Sequence, residues 1–274
     1  MMKIRKKYKI KNAKVFIVFF ALVILLAIIV WVKIYNHMNT YDGLGEEGEY
    51  PKMSYKSEGF YRDKYNFLNY KFGNVSAKRG IDVSSHQGYI DWKKVKNSGV
   101  EFAIIRLGFS SYVDGSIHMD EYFQRNIEEA HKNGIEVGVY FFSQATNTDE
   151  AIREAKYVLD NIKSQHISIP IGFDMEPVTE EDRIKSLTVK QKTEIADAFC
   201  QIIRKHRMDV SIYGNPTWIS NNIDLKLLCD YEIWLAHYTD LSDFKYDYKI
   251  WQYTSEGIID GIDTHVDLNI MFIK

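Results

Sequence analysis

From residue 79 onward the chain repeats one pattern, a short apolar run rich in β-branched and aromatic residues followed by a stretch of mixed polarity. The runs are RGIDVS (79–84), EFAIIRLGF (101–109), EVGVYFFS (136–143), ISIPIGFDME (167–176), DVSIYGN (209–215), YEIWLAHY (231–238), YKIWQYT (248–254) and VDLNIMF (266–272). Each has the length of a strand, and their nearly unbroken apolarity is that of strands covered on both faces. Between the early runs lie helix signals. DEYFQRNIEEAHKNG closes on Gly134, a helix stop, and TVKQKTEIADAFCQIIRKH opens with Thr188 and Gln191 at capping-box spacing. Strands alternating with helices predict a parallel sheet, and eight of them predict its closure into a barrel. The last connections are too short for full helices. The expected fold is therefore α/β: an abbreviated, irregular, TIM-like (β/α) barrel with about five β/α units and then mainly β structure.

A different pattern precedes it. VFIVFFALVILLAIIVWV, residues 15–32, is an unbroken apolar run of eighteen residues. As a helix it spans about 27 Å, enough for a bilayer's hydrocarbon core, with Trp31 and Tyr35 near the outer interface. A cleaved signal peptide has a shorter apolar core and a small-x-small site, and none follows in KIYNHMNTYD. The expected organisation is a basic cytoplasmic tail (1–14), a transmembrane signal anchor (15–34), an extracytoplasmic linker or stalk (35–75) and the barrel (76–274). A cleaved signal is the competing reading of the same run. In the linker, YDGLGEEGEY reads as flexible. YKSEGFYRDKYNFLNYKF carries too many aromatics for a plain linker, so docking on the barrel and a short stalk helix both stay open.

Charge sharpens this division. The formal net charge is −2, yet residues 1–14 hold seven Lys/Arg and no acid, whereas residues 74–274 hold 22 Lys/Arg against 31 Asp/Glu. The basic cluster belongs on the cytoplasmic side, which leaves the barrel outside the cell at the cell surface or wall. A domain this acidic lacks the footprint for nucleic acid. No CxxC, HExxH or other ligand spacing occurs, so no metal or cofactor is expected. Cys200 and Cys229 are open to a disulfide or to two separate thiols.

The candidate chemistry begins with IGFDMEP, residues 171–177. In an extended strand Asp174 and Glu176 share a face, their Cβ atoms roughly 6.5–7 Å apart. Two anions held that close repel, and one tends to keep its proton. Polar and aromatic residues recur near the ends of the other runs: Asp82, Arg106, Tyr140, Tyr213, Trp234 with His237, Gln252 and Asp267. Singly, each has a structural explanation as a core ring or a helix cap. The acids of the first, fourth and eighth runs converge only if the barrel closes.

Taken in order, RGIDVSSHQGYIDWKKVKNSGVEFAIIRLGFS, GVYFFSQATNTDEAIREAKYVL, IPIGFDMEP, SIYGN, IWLAHY and IWQYTSEGIIDGIDTHVDLN resemble the glycoside hydrolase family 25 lysozymes, from about residue 79 to residue 274. The resemblance implies an irregular barrel that hydrolyses the β-1,4 bond between N-acetylmuramic acid and N-acetylglucosamine in peptidoglycan. It places the family's acids on Asp82 in GIDVS, Asp174 and Glu176 in FDMEP, and Asp267 in VDLN. Glu176 is then the general acid/base with a raised pKa, and Asp174 stays ionised, orienting the substrate's acetamido group or helping a water attack. Arg106, Tyr140, Phe142, Tyr213, Trp234 and Gln252 are candidates to bind sugar rings, with packing as the alternative role for the aromatic ones. The transmembrane run is no part of the family pattern. Two other readings are a tethered peptidoglycan-binding protein without catalysis and a related barrel glycosidase acting on another N-acetylhexosamine polymer. Family 18 chitinases also use strand acids two apart, but their longer D-x-x-D-x-D-x-E run is absent.

Overall fold

All eight apolar runs form strands, and they close on one another. The computed structural model describes residues 2–179 and 182–274, with backbone alone up to residue 15, so the side chains of the expected basic tail lie outside the described residues. The chain divides into a first unit ending at Thr40 and a second, Tyr41–Lys274. The first unit is a single helix, α1 (Met2–Met38). Its stretch Phe16–Met38, 23 residues, is long and apolar enough to cross a membrane and is nowhere buried by the rest of the protein. Trp31 stacks on Tyr35 near its C-terminal end, ring centres 5.5 Å apart.

The second unit opens with a belt and a short antiparallel hairpin, β1 (Phe60–Arg62) and β2 (Leu68–Phe72). The barrel follows as β3 (Val75–Val83), α2 (Trp92–Asn97), β4 (Phe102–Ser110), a small strand β5 (Ile117–Met119), α3 (Phe123–Lys132), β6 (Glu136–Phe142), α4 (Thr148–Ile162), β7 (Ile171–Asp174), α5 (Val189–Lys205), β8 (Val210–Gly214), α6 (Pro216–Asn222), β9 (Glu232–Ala236), β10 (Ile250–Gly257) and β11 (Val266–Ile273). From β3 through β4, β6, β7, β8 and β9 to β10 every neighbour is parallel. β11 runs antiparallel to both β10 and β3 and closes the ring. Five helices, α2 to α6, fall between the parallel strands up to β9, and none follows. The barrel is abbreviated in the way the run spacing implied.

Local signals account for the helices. Thr188 and Gln191 form a reciprocal capping box at the start of α5, and Asn147 accepts the Glu150 N–H at the start of α4. Ala151, Ala155, Val158, Leu159 and Ile162 make the buried stripe of α4, at helical spacing. The main core lies between this helical layer and the outer face of the sheet. A smaller cluster fills the barrel itself, including Phe102, Ile104, Tyr213, Trp234, Ile250 and Met271. Gly172 makes room for it: a Cβ there would meet the Trp234 ring at 3.0 Å and Tyr140 Cβ at 2.9 Å. Cys200 and Cys229 are both free thiols.

Residues 41–75, expected as a linker or stalk, are docked on the barrel. Tyr41 donates to Asp197 at 3.0 Å, Tyr50 to the Tyr231 carbonyl at 2.8 Å and Tyr55 to the Tyr248 carbonyl at 2.8 Å. The Tyr55 ring stacks on Phe272 with centres 3.7 Å apart, and Phe67 and Tyr70 are buried. Glycines and glutamates make this segment look flexible by composition, but Tyr50 and Tyr55 each pair a buried ring with a hydroxyl that satisfies a backbone carbonyl, and the Tyr41 hydroxyl reaches a carboxylate. The hairpin then continues the sheet beside β3, Phe72 pairing with Val75.

Removing the belt uncovers Tyr248, Trp251 and Phe272, which pack on its rings. A chain starting at residue 76 is expected to melt at least about 10 °C below one starting at residue 41, since each buried ring contributes roughly 1.5–3 kcal/mol and a domain this size shifts about 2–4 °C per kcal/mol. Thermal unfolding of the two chains checks this, and equal midpoints would contradict the structural role of the belt.

Candidate active site

The parallel strands end, and the antiparallel β11 begins, at the same mouth of the barrel. This places Asp267, the second residue of β11, directly opposite Asp82 near the end of β3. β7 ends at Asp174, whose register partners are Phe142 on β6 and Tyr213 on β8. Glu176 lies two residues beyond the strand, in the coil that leads to Pro177. The strand's pairing thus ends between the two acids, so Glu176 stands on the coil that continues it rather than on the strand itself. The two acids are nonetheless close enough for the charge of Glu176 to act on Asp174.

Asp82 is held rigidly. Its Oδ2 accepts from Gln252 Nε2 at 2.8 Å and from Asn269 Nδ2 at 2.7 Å. Gln252 Oε1 accepts in turn from the hydroxyls of Tyr213 and Tyr238, at 3.0 and 2.9 Å. Asn269 Oδ1 accepts from the Trp234 indole at 2.8 Å. An indole can only donate and a carboxylate can only accept, so the Asn269 amide has one orientation, oxygen toward Trp234 and nitrogen toward Asp82. Trp234 and Gln252 are almost fully enclosed, at 1% and 2% exposure. Both lie beneath the acids, with the Trp234 indole N–H engaged by Asn269 and the Gln252 amide by Asp82, Tyr213 and Tyr238.

The remaining candidates surround this pair. Tyr140 is half-buried and meets Trp234 edge-on, ring centres 5.8 Å apart, and Tyr213 lies 4.7 Å from the same indole. Phe142 is half-buried at the end of β6. The Arg106 guanidinium is engaged by Asp120 at 2.8 Å and Ser85 at 2.9 Å, and its charge draws down the pKa of nearby Asp174. It acts as a fixed positive charge behind the acids. Glu176 borders an open cleft of about 720 Å³ that also includes Tyr213, Trp218, His237 and Tyr238.

Burial raises the pKa of all four carboxyls. For Asp82 it is joined by the charge of Asp267 and opposed by the two amide donors. For Asp174 it is joined by Glu176 and Asp82 and opposed by Arg106. Glu176 is raised by burial and by Asp267, and Asp267 itself is pushed up to about 6 by burial. The expected division, a protonated Glu176 beside an ionised Asp174, is therefore too simple for the ligand-free site. Asp174 is the more deeply enclosed, and its Oδ1 is buried with no hydrogen-bond partner among the described residues. Low dielectric favours the neutral form on both acids, so the cluster shares protons.

Several contributing residues escaped the sequence reading. Asn269 follows Asp267 by two and faces the same way, a strand-period signal that was present. Tyr238 stands on the loop after β9 and Asp120 beyond β5, where no periodicity operates. Glu154, buried on α4, accepts from the Ser143 hydroxyl at 2.6 Å and from Ser110, and burial pushes it up to about 7. It ties the ends of β4 and β6, and the Ser143 N–H in turn donates to the Asp174 carbonyl at 2.7 Å.

Residues 81–262 match the family model "Glycosyl hydrolases family 25". Lysozyme M1 of Streptomyces globisporus is 28% identical over 211 residues, covering 72% of this chain and 68% of its own. The modular autolysin LytC of Streptococcus pneumoniae superposes with a TM-score of 0.65 at 26% identity, over 78% of this chain and 52% of its own, so this chain spans about half of it. A family 25 glycosyl hydrolase of Bacillus anthracis superposes with a TM-score of 0.61 at 22% identity, over 74% of this chain and 92% of its own.

Crowding buried carboxyls weakens the fold at neutral pH. Between the ordinary carboxylate pKa near 4 and the raised folded values, which for Asp267 means about 6, the unfolded chain has released protons that the folded chain keeps. Stability accordingly falls as pH rises through that window. Asp174→Asn is expected to raise the melting point at pH 7 by roughly 2–5 °C, with the gain vanishing at pH 4 and below. A folded variant that melts at or below the unmodified protein at pH 7 would show that the charges are not under strain.

Proposed function

Because the chain belongs to the glycosyl hydrolases of family 25 and is thus a glycoside hydrolase, we propose that it is a membrane-anchored peptidoglycan hydrolase cleaving the β-1,4 bond between N-acetylmuramic acid and N-acetylglucosamine. The observation that carries this is the gathering of Asp82, Asp174, Glu176 and Asp267 at one mouth of the barrel, with Glu176 at the edge of an open cleft. Glycoside cleavage needs a carboxylic acid to protonate the leaving oxygen and negative charge near the oxocarbenium-like centre. Glu176 supplies the proton: it is the acid that reaches the cleft, and burial together with the charge of Asp267 raises its pKa, which favours the proton-donating form.

Asp174 receives the substrate. Its unpartnered Oδ1 accepts the N–H of the 2-acetamido group, which replaces a missing hydrogen bond and aims the acetamido oxygen at the anomeric carbon. As positive charge grows there, the neighbouring carboxylates are stabilised in their ionised form. Asp82, fixed by Gln252 and Asn269, and Asp267 opposite it supply that field. The apolar stretch Phe16–Met38 holds the enzyme in the cell membrane, with the lysine-rich tail inside and the barrel in the wall space.

Glu176→Gln is expected to fold with a melting point at pH 7 no lower than that of the unmodified chain, and to lower wall cleavage by at least about 10²-fold. Digests by the unmodified chain, reduced with borohydride and examined by mass spectrometry, are expected to show new muramitol ends. New glucosaminitol ends would make it a glucosaminidase, and no new ends would leave a binding protein. Protease added to cells with a permeable wall is expected to remove the barrel and leave a short basic stub in the membrane. Full protection would contradict the outward orientation, and a domain found free in the medium without protease would indicate a cleaved signal.

A further inference from the structure

A second cleft opens beside the acids, and part of its wall comes from outside the family-matched segment. It measures about 640 Å³ and meets the Glu176 cleft at Tyr238, which borders both. One wall is the β1–β2 hairpin, through Arg62 and Tyr65, which precedes residue 81, where the family match begins. The opposite wall is the turn between β10 and β11, with Ile258, and the base includes Leu268, the residue after Asp267. The two clefts therefore meet at Tyr238, the first bounded by Glu176 and the second by the hairpin, with Leu268 on the outer face of β11 at its base.

The hairpin wall is preformed. Asp63 accepts the N–H groups of Tyr65 and Phe67 at 2.9 and 3.1 Å and pairs with Arg79 at 2.7 Å, which pins the hairpin tip. The Leu68 N–H donates to the Tyr253 hydroxyl at 3.2 Å and ties the hairpin to β10. Across the cleft, Arg62 meets Asp240 at 3.5 Å. Tyr238 and Ile258 are 56% and 84% exposed, and Tyr65, 40% exposed, is held in place by the Lys64 ammonium 4.7 Å and the Arg79 guanidinium 5.2 Å from its ring centre.

We infer that the hairpin builds a second arm of the substrate groove, which holds the glycan strand where it runs on from the Glu176 cleft past Tyr238. This rests on the peptidoglycan reading above. Tyrosine rings and an isoleucine offer stacking faces for the C–H surfaces of pyranose rings. Arg62 is balanced by Asp240 and Glu256 adds a negative charge, so the arm suits a neutral sugar backbone rather than an anionic polymer. Continuity through Tyr238 makes the two clefts one path. A chain with this arm prefers long glycan strands over single disaccharides.

The test uses the full chain in detergent micelles, carrying Glu176→Gln so that binding is read without turnover. The probes are long glycan strands stripped of stem peptides and the free disaccharide of N-acetylglucosamine and N-acetylmuramic acid. Tyr65→Ala and Ile258→Ser are each expected to weaken binding of long strands about tenfold and to leave disaccharide binding unchanged. Ile258 is exposed enough that its replacement leaves the fold intact. In the active chain the same substitutions are expected to raise KM on strands without changing kcat. Unchanged strand affinity in the Ile258 variant would overturn the second arm, as would a loss seen only with strands that keep their peptides. A wild-type chain that binds strands through these residues but releases no new reducing ends would uphold the arm and remove the hydrolase reading.

Discussion

The pairing of β11 with β3 is the constraint on which the rest depends. Seven strands arranged in parallel leave two open edges, and an eighth strand entering in the opposite direction satisfies both at once. That reversal also decides the chemistry. A parallel final strand would carry Asp267, near its beginning, to the far end of the barrel. An antiparallel one brings it to the mouth, level with Asp82 and in the company of Asp174 and Glu176. Closure of the sheet and assembly of the site are one event, and the hydrogen-bond ladder that seals the barrel also fixes the spacing of its acids.

Four buried carboxyls at one mouth are a burden that the surroundings carry in a graded manner. Asp82 receives two amide donors, each fixed in turn by a ring hydroxyl or an indole, so its position is set from beneath by Trp234, Tyr213 and Gln252. Asp174 has only the remote charge of Arg106, itself occupied by Asp120, and keeps one oxygen unpartnered. Support is thus uneven: Asp82 is bonded from two sides, whereas Asp174 has a buried oxygen with no hydrogen-bond partner among the described residues. Active sites commonly hold such unspent capacity at the expense of stability.

The belt from Tyr41 to the hairpin is part of the barrel's own folded unit. An unstructured tether of some thirty residues would let a barrel roam. Here residues 41–75 belong to the folded unit, so the only chain between it and α1 is the short passage around Thr40.

Period, composition and spacing determined much of this protein in advance. Eight strands, five helical units and the missing late helices follow from run lengths, because a buried strand and an amphipathic helix write different periods into a chain. The apolar run at residues 15–32 follows from length alone, and the four acids stand at the ends of runs where a barrel gathers its chemistry. Tertiary structure decided what depends on direction and partners. Nothing local tells whether β11 runs with or against its neighbours, that β7 stops at Asp174 before Glu176, or that Trp234 and Gln252 support Asp82 from below. The docking of residues 41–75 was hidden for the same reason: a tyrosine's burial depends on a surface far away in sequence, and no window along the chain contains both.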